Sequence, residues 1–209
     1  NENTIVAGSA ALDKKLSEYA KENGIGGFEF LSGIPGTIGG GIRMNSGCFN
    51  SEFKDILISV QAVDQLGKII TISNKNIDFY YRDTSLSKEL IFLSATFRGK
   101  IKEKKLISDQ IEKIKFEKEK SQPSRIKTSG STFKNPKKQT NKKVWELIKE
   151  SIPLDTKYGD AEISSKHCNF FVNKKNASFK DMKKLINFVK DKVKSKTGIK
   201  IDLEIVIVE

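Results

Sequence analysis

One histidine, two cysteines and one tryptophan are all that these 209 residues hold of the rarest side chains. Each scarcity excludes something. Cys48 and Cys168 cannot build a disulfide framework, so a reducing compartment is expected. With His167 as the single histidine and the two thiols far apart, a zinc site is poorly supplied and no metal is expected. The adjacent pair His167 and Cys168 would project oppositely on an extended segment, which disfavours a Cys–His nucleophile, and no Ser-His-Asp set can be assigned. Long apolar runs are also lacking. Ile91 to Phe97 and Ile205 to Val208 are strand-sized, far short of the ~20 residues that span a bilayer. Nor does a charged stretch lead into an apolar one, as in a signal peptide. A cytoplasmic location is the expectation.

Charge is abundant but uneven. The sequence is 37 % hydrophobic and 31 % charged, with a net charge of +12. Residues 1–100 hold 11 basic and 11 acidic side chains, whereas residues 101–209 hold 27 and 15. The basic half could attract nucleic acid, an anionic membrane or a phosphorylated small molecule. Its excess is almost all Lys, dispersed through helices and turns. Scarce Arg makes poor base readout, which prefers a bidentate guanidinium.

Periodicity gives an α+β reading. A helix is predicted over 10–21, with Leu12, Leu16, Tyr19 and Ala20 on one face and a stop at Gly24. Ile56 to Ala62 alternates as a strand, Asp64 to Gly67 turns, and Lys68 to Ile72 returns as a hairpin. Leu90 to Phe97 is another strand. After residue 100 the composition becomes charged, with Leu106, Ile107, Ile111 and Ile114 at helical spacing until Gln122-Pro123. The domain boundary is placed near residue 100, giving domains 1–100 and 101–209, the second including this connector helix. A helix begins near Asn141. Asn169 to Asn173 reads as a short buried strand. Ser178 to Asp181 resembles a capping box, followed by Met182, Leu185, Ile186, Val189 and Val193 on one face and a stop at Gly198. The last stretch alternates as a strand, with Ile199, Ile201, Leu203, Ile205 and Ile207 on one side and Glu204 on the other.

Four segments carry chemistry. Gly33-Ile34-Pro35-Gly36-Thr37-Ile38-Gly39-Gly40-Gly41-Ile42-Arg43-Met44 contains five glycines and one proline among twelve residues. So few side chains leave backbone N–H groups exposed, which suits a phosphate; a tight structural turn is the alternative. It is neither a Walker loop nor a Gly-x-Gly-x-x-Gly fingerprint. Phe79 to Leu86 sets Arg82 among aromatics, where it presents a charged fork or pairs with Asp78 or Asp83. Ser129 to Pro136 offers hydroxyls before a proline, either capping a turn or serving a site. Gly198 to Ile205 places acids on an alternating strand, where a solvated outer face is the ordinary outcome.

Together, in this order, the four segments resemble the UDP-N-acetylenolpyruvoylglucosamine reductase (MurB) family. Gly33 to Gly47, GIPGTIGGGIRMNSG, looks like its FAD-binding loop. Tyr81-Arg82-Asp83-Thr84 looks like its Tyr-Arg-x-Ser motif, with Thr84 for Ser and Leu86 for Phe. Gly130-Ser131-Thr132-Phe133-Lys134-Asn135-Pro136 matches Gly-Ser-x-Phe-Lys-Asn-Pro throughout. Residues 159–167 and 169–173 also resemble the family, with Asp160 in place of Gly. The resemblance implies a vanillyl-alcohol-oxidase-like (PCMH-type) FAD-binding domain followed by an α+β substrate-binding domain. It implies NADPH-driven, flavin-dependent reduction of UDP-N-acetylglucosamine enolpyruvate to UDP-N-acetylmuramate, in peptidoglycan precursor synthesis.

By the same carry-over, Arg82, Ser131 and Glu204 are catalytic, with Asp202 as competitor to Glu204. Gly33, Ile34, Pro35, Gly36, Thr37, Gly39, Gly40, Arg43 and Asn45 hold FAD. Tyr81, Lys134 and Asn135 hold substrate. Partners are a small-molecule substrate and neither nucleic acid nor membrane, and the chain is expected to be a monomer. The short gap between Phe97 and Ile107 leaves no room for a capping insertion, as in the family's shorter form. Family members begin with another lobe bearing a second phosphate-binding loop. This sequence opens at Asn1-Glu2-Asn3, inside that domain, so residues 1–100 are expected to form its second lobe. Without the first lobe, FAD affinity and activity are expected to fall.

Overall fold

The computed structural model describes residues 3–123 and 126–208. Positions 1, 2 and 209, the outer limits of the two expected domains, lie outside the described residues. The chain forms two compact units, Asn1–Lys118 and Glu119–Glu209, each of mixed helix and strand. No helix among the described residues is long and apolar enough to cross a membrane.

The first unit is built on an antiparallel sheet in the order Thr4–Gly8, Ile91–Arg98, Leu57–Val63, Ile69–Ser73. The hairpin of Leu57–Val63 and Ile69–Ser73 closes as the sequence predicts. Asp64 Oδ1 accepts from the N–H groups of Leu66 and Lys68, each at 2.9 Å, fixing the turn. One sheet face buries Ile5, Val60, Ala62, Ala95 and Phe97 against Leu16 and Ala20 of the helix Asp13–Glu22, and against Ile38, Ile42 and Phe53.

Two expectations change here. Leu12 and Tyr19, read as part of the buried helix face, are 53 % and 54 % exposed. Asp13 and Ser17 are buried beside Leu16 and Ala20 instead. The domain boundary also moves. The helix Lys104–Ser121 buries Ile107, Ile111 and Ile114, and Ile114 lies against Gly33 of the first unit. The units therefore part at 118/119 rather than near residue 100. The charged composition after residue 100 belongs to that helix's exposed faces.

The second unit has a sheet in the order Lys127–Ser131, Phe170–Asn173, Ala161–Ile163, Lys157–Tyr158. Two helices cover it. Val144–Ser151 contributes Val144, Leu147 and Ile148. Phe179–Thr197 contributes Leu185, Ile186, Val189 and Val193. The long helix starts at the predicted capping box: Ser178 Oγ accepts from Asp181 N–H at 3.1 Å, and Asp181 Oδ2 accepts from Ser178 N–H at 3.0 Å. It stops at Gly198, whose φ is +74°.

The predicted last strand is reduced to one bridge, Phe133 with Leu203. Its burial pattern survives, because Ile199, Ile201, Leu203, Ile205 and Ile207 all pack into the second core. The departure at Asp160 has a structural reason. Its carboxylate accepts from Asn176 N–H at 3.1 Å and its carbonyl from Lys174 N–H at 3.0 Å, tying the turn after Gly159 to the 174–176 segment.

Candidate functional site

The glycine loop is pinned from behind by its own backbone. Asp13 N–H donates to Gly36 O at 3.1 Å, Ile38 N–H to Ala11 O at 2.9 Å and Gly39 N–H to Ser9 O at 2.8 Å. Thr37 Oγ1 accepts weakly from Gly40 N–H at 3.4 Å. The Gly36 and Thr37 N–H groups have no acceptor among the described residues. Gly36 is tightly packed: an added Cβ would lie 3.0 Å from Asp13 Oδ2, which would have to give way by a few tenths of an ångström. Pro35 and Gly40 are exposed at the outer side of the loop, and Ile34 closes the preceding turn by donating to Leu31 O. Lys118 Nζ donates to Gly33 O. Free donors on an otherwise fixed bare backbone fit a phosphate-bearing cofactor.

Two residues expected on that cofactor are engaged elsewhere. Arg43 donates from Nη1 to Ser87 O at 2.6 Å and Leu86 O at 3.2 Å, and from Nη2 to Leu90 O at 2.8 Å. Its guanidinium also lies 4.2 Å from the centroid of the Phe92 ring. It ends the short helix Ile38–Arg43, next to the 86–90 loop, and is consumed in bracing that loop. Asn45 is fully buried. Its amide donates to Glu52 Oε2 at 2.9 Å and Tyr80 O at 3.2 Å, while Oδ1 accepts from Lys54 N–H at 3.2 Å. The side chains of both residues brace the loop's surroundings.

Arg82 sits at the tip of a small hairpin between Phe79–Tyr80 and Asp83–Thr84. Its backbone is left-handed, φ +59°, a conformation costly for any residue but glycine. Among the described residues the other non-glycine positions with this geometry are Asn45, Phe49 and Asn50. Arg82 reaches that strained segment, donating from Nη2 to Gly47 O at 3.0 Å. Its guanidinium lies 5.1 Å from the ring centroid of Tyr81. Burial would raise the Glu52 carboxyl, but hydrogen bonds from Lys54 and Asn45 and the charges of Lys54 and Arg82 outweigh it and hold it below its ordinary range. Burial raises the Cys48 thiol, against the opposing charges of Lys118 and Arg82. Strain clustered around a charged side chain is a mark of functional sites. A separate open hollow of about 1110 Å³ is lined by Gly26, Gly27, Phe49, Lys54 and Arg98 and does not include the glycine loop.

In the second unit, Ser131 follows a bulge. The register of Lys127–Ser131 against Phe170–Asn173 slips between Thr128 and Ser131, and Gly130 takes φ +87° within the slip. Only glycine adopts that value without strain, and the bulge re-aims the next side chain. Ser131 is half-buried, and its hydroxyl has no partner among the described residues. The segment that follows is held from two sides. Glu204 N–H donates to Thr132 O at 2.9 Å and Lys134 N–H to Asp202 O at 2.8 Å. On the other side Thr132 N–H donates to Asn169 O at 2.8 Å.

This pairing sets Glu204 opposite Thr132, the residue after Ser131. Glu204 is half-buried and Asp202 exposed, which favours Glu204 as the site acid. Asn135 Oδ1 accepts from Val144 N–H at 2.9 Å, so this residue also starts the helix Val144–Ser151. Lys134 is half-buried beside it.

Asn169 is the residue that pattern reading missed. It is 4 % exposed. Its Oδ1 accepts from Phe133 N–H at 3.0 Å and its Nδ2 donates to Phe133 O at 2.9 Å. A side-chain amide thus stands in for a strand neighbour just after Ser131. The one signal available was an Asn leading into an apolar strand, where a chain-ending polar group needs partners. His167 serves the same turn: its Nδ1 accepts from Asn169 N–H at 3.2 Å, and burial lowers its pKa. Cys168 turns away and donates to Trp145 O at 3.0 Å. Asn169→Ala leaves the Phe133 N–H and C=O buried without partners, at about 1–3 kcal/mol for each. Urea unfolding should show that loss in the second unit.

Residues 122–208 match the model of the UDP-N-acetylenolpyruvoylglucosamine reductase C-terminal domain. Residues 1–73 match that of an FAD binding domain. The chain is 60 % identical over 205 residues to UDP-N-acetylenolpyruvoylglucosamine reductase of Pelagibacter ubique (strain HTCC1062), covering 98 % of this chain and 68 % of that protein. It is 42 % identical over 204 residues to the reductase of Rickettsia typhi (strain ATCC VR-144 / Wilmington), with the same coverages. The crystal structure of UDP-N-acetylenolpyruvylglucosamine reductase (MurB) from Thermus caldophilus is similar with a TM-score of 0.83 at 29 % identity, over 98 % of this chain and 72 % of that one. The chain belongs to the UDP-N-acetylenolpyruvoylglucosamine reductase family.

Proposed function

We propose that this chain reduces UDP-N-acetylglucosamine enolpyruvate to UDP-N-acetylmuramate, with FAD as its cofactor and NADPH as the reductant. Family membership makes it an FAD-dependent oxidoreductase. The observation that carries the rest is the Ser131 segment. A half-buried hydroxyl follows a glycine bulge, has no partner among the described residues, and stands on a segment that pairs through its backbone with the segment carrying the half-buried Glu204.

The bare backbone of Gly36 and Thr37 would hold the cofactor's phosphates, with Gly33, Ile34, Pro35, Gly39 and Gly40 shaping the loop around them. Bound flavin supplies the hydride that the substrate accepts at the carbon β to its carboxylate. Negative charge then grows on the carboxyl side of the substrate. Arg82 opposes that charge, and Glu204, protonated or through water, helps to stabilise it. Ser131 delivers a proton to the α carbon. An alcohol is a very poor acid at neutral pH, so the reaction needs a neighbouring cation; Lys134, three residues on, supplies one. Tyr81, Lys134 and Asn135 bind the substrate. The logic is electrostatic: donors fixed in advance oppose a charge that appears only during reaction.

The test begins with the purified chain and added FAD. Flavin should bind, and NADPH oxidation should then depend on the enolpyruvyl sugar. A chain that holds flavin but oxidises NADPH at one rate with or without that sugar would overturn the substrate. Absence of flavin binding would overturn the activity of this chain altogether.

A further inference from the structure

Asp13 has no exposed surface, and neither of its carboxyl oxygens has a hydrogen-bond partner among the described residues. Ser17 Oγ, one helical turn on, is equally buried and unpartnered. An unpartnered buried carboxyl is expensive and calls for an explanation. Its position supplies one. Oδ2 occupies the space that a side chain at position 36 would need, 3.0 Å from where a Cβ would stand, while the Asp13 backbone N–H donates to Gly36 O. Asp13 thus meets the glycine loop twice, by backbone and by side chain.

We propose that Asp13 is a positioning residue for the cofactor loop: its neutral carboxyl packs against Gly36 and holds residues 33–43 in the shape that presents the Gly36 and Thr37 N–H groups, and its carboxylate releases that shape. The proposal rests on reading the glycine loop as the flavin site. Asp13 lies in the first turn of its helix, where the helix dipole favours a carboxylate. Burial wins and raises the carboxyl from 3.8 to about 7.

No neighbouring charge offsets it. On its own helix Lys14 and Lys15 pair with Glu18, at 3.7 and 3.1 Å. Glu29, on the packed turn Glu29–Gly33, pairs with Lys102 at 2.9 Å. The strand Ile25–Gly26 carries no charge, and Arg43 of the loop is spent on the 86–90 carbonyls. The sign follows. The held loop keeps the proton, so raising the pH through about 7 favours release.

Amide hydrogen exchange of peptides spanning residues 33–43, read by mass spectrometry, is the direct measurement, with FAD titrations alongside. In the native chain, loop protection corrected for intrinsic exchange should fall about tenfold from about pH 6 to about pH 8, and FAD affinity should fall by the same factor. Asp13→Asn keeps the size and removes the charge, so both readouts should become independent of pH. If that variant fails to fold, the native chain still decides: the ¹³C titration of Asp13 and the loop exchange must share one midpoint. Equal protection at both pH values, or a native-like pH response in Asp13→Asn, would overturn the proposal. A loop that responds to pH in a chain that never binds FAD would uphold the Asp13 switch and overturn the flavin reading.

Discussion

Ser131→Ala should reduce its flavin with NADPH as fast as the native chain, yet turn over the enolpyruvyl sugar about 10²–10⁴-fold more slowly. The split follows from what Ser131 touches. Its hydroxyl braces nothing among the described residues, so removing it leaves the second core intact. The strand that carries it is held by Thr132, Phe133 and Lys134, through Asn169, Glu204 and Asp202. Only the proton delivered to the α carbon is lost. Stopped-flow absorbance separates the two half-reactions. If both slow together, Ser131 serves the fold or the flavin; if neither slows, another group delivers the proton.

Arg82→Gly should cost about 10²–10³-fold in turnover while leaving stability almost unchanged. Two effects on stability oppose each other. The left-handed backbone at position 82, φ +59°, is relieved by glycine, a gain of about 1–2 kcal/mol. The charged hydrogen bond to Gly47 O at 3.0 Å disappears, a loss of about 1.5–3 kcal/mol that solvent at this half-exposed site reduces. A residue chosen only for the hairpin would be glycine. An arginine there, against backbone strain, fits the proposed role of its guanidinium. Thermal melts and steady-state rates on one preparation decide the matter. A variant that melts far below the native chain makes Arg82 structural, and one that turns over normally removes it from the mechanism.

Legibility in the sequence followed range. The helix Phe179–Thr197 could be read because its cap, apolar stripe and stop are all local. The hairpin after Leu57 could be read because Asp64 and Gly67 build its turn within a few residues. The strand Thr4–Gly8 could not, since its partner Ile91–Arg98 is remote and five residues carry too little alternation. Leu12 and Tyr19 misled because helical spacing gives a face but not which face finds a core.

The site divides in the same way. Ser131 and Arg82 stand in dense motifs, and the structure gives each an unusual local geometry. Arg43 and Asn45 lie in an equally dense motif, yet besides the nearby Glu52 and Lys54 their side chains bond to residues 80 and 86–90, which no local pattern announces. Asn169 was invisible for a related reason. An amide imitating a strand edge shows itself only when the strand it completes is in place.

The sharpest test is isotopic. The flavin-loaded chain is given NADPH deuterated at the transferable position, in ordinary water, together with UDP-N-acetylglucosamine enolpyruvate. The account predicts product with a solvent-derived hydrogen on the α carbon and with whatever deuterium escapes exchange into water on the new methyl carbon. Deuterium at the α carbon, or unreacted sugar beside fully reduced flavin, would contradict it.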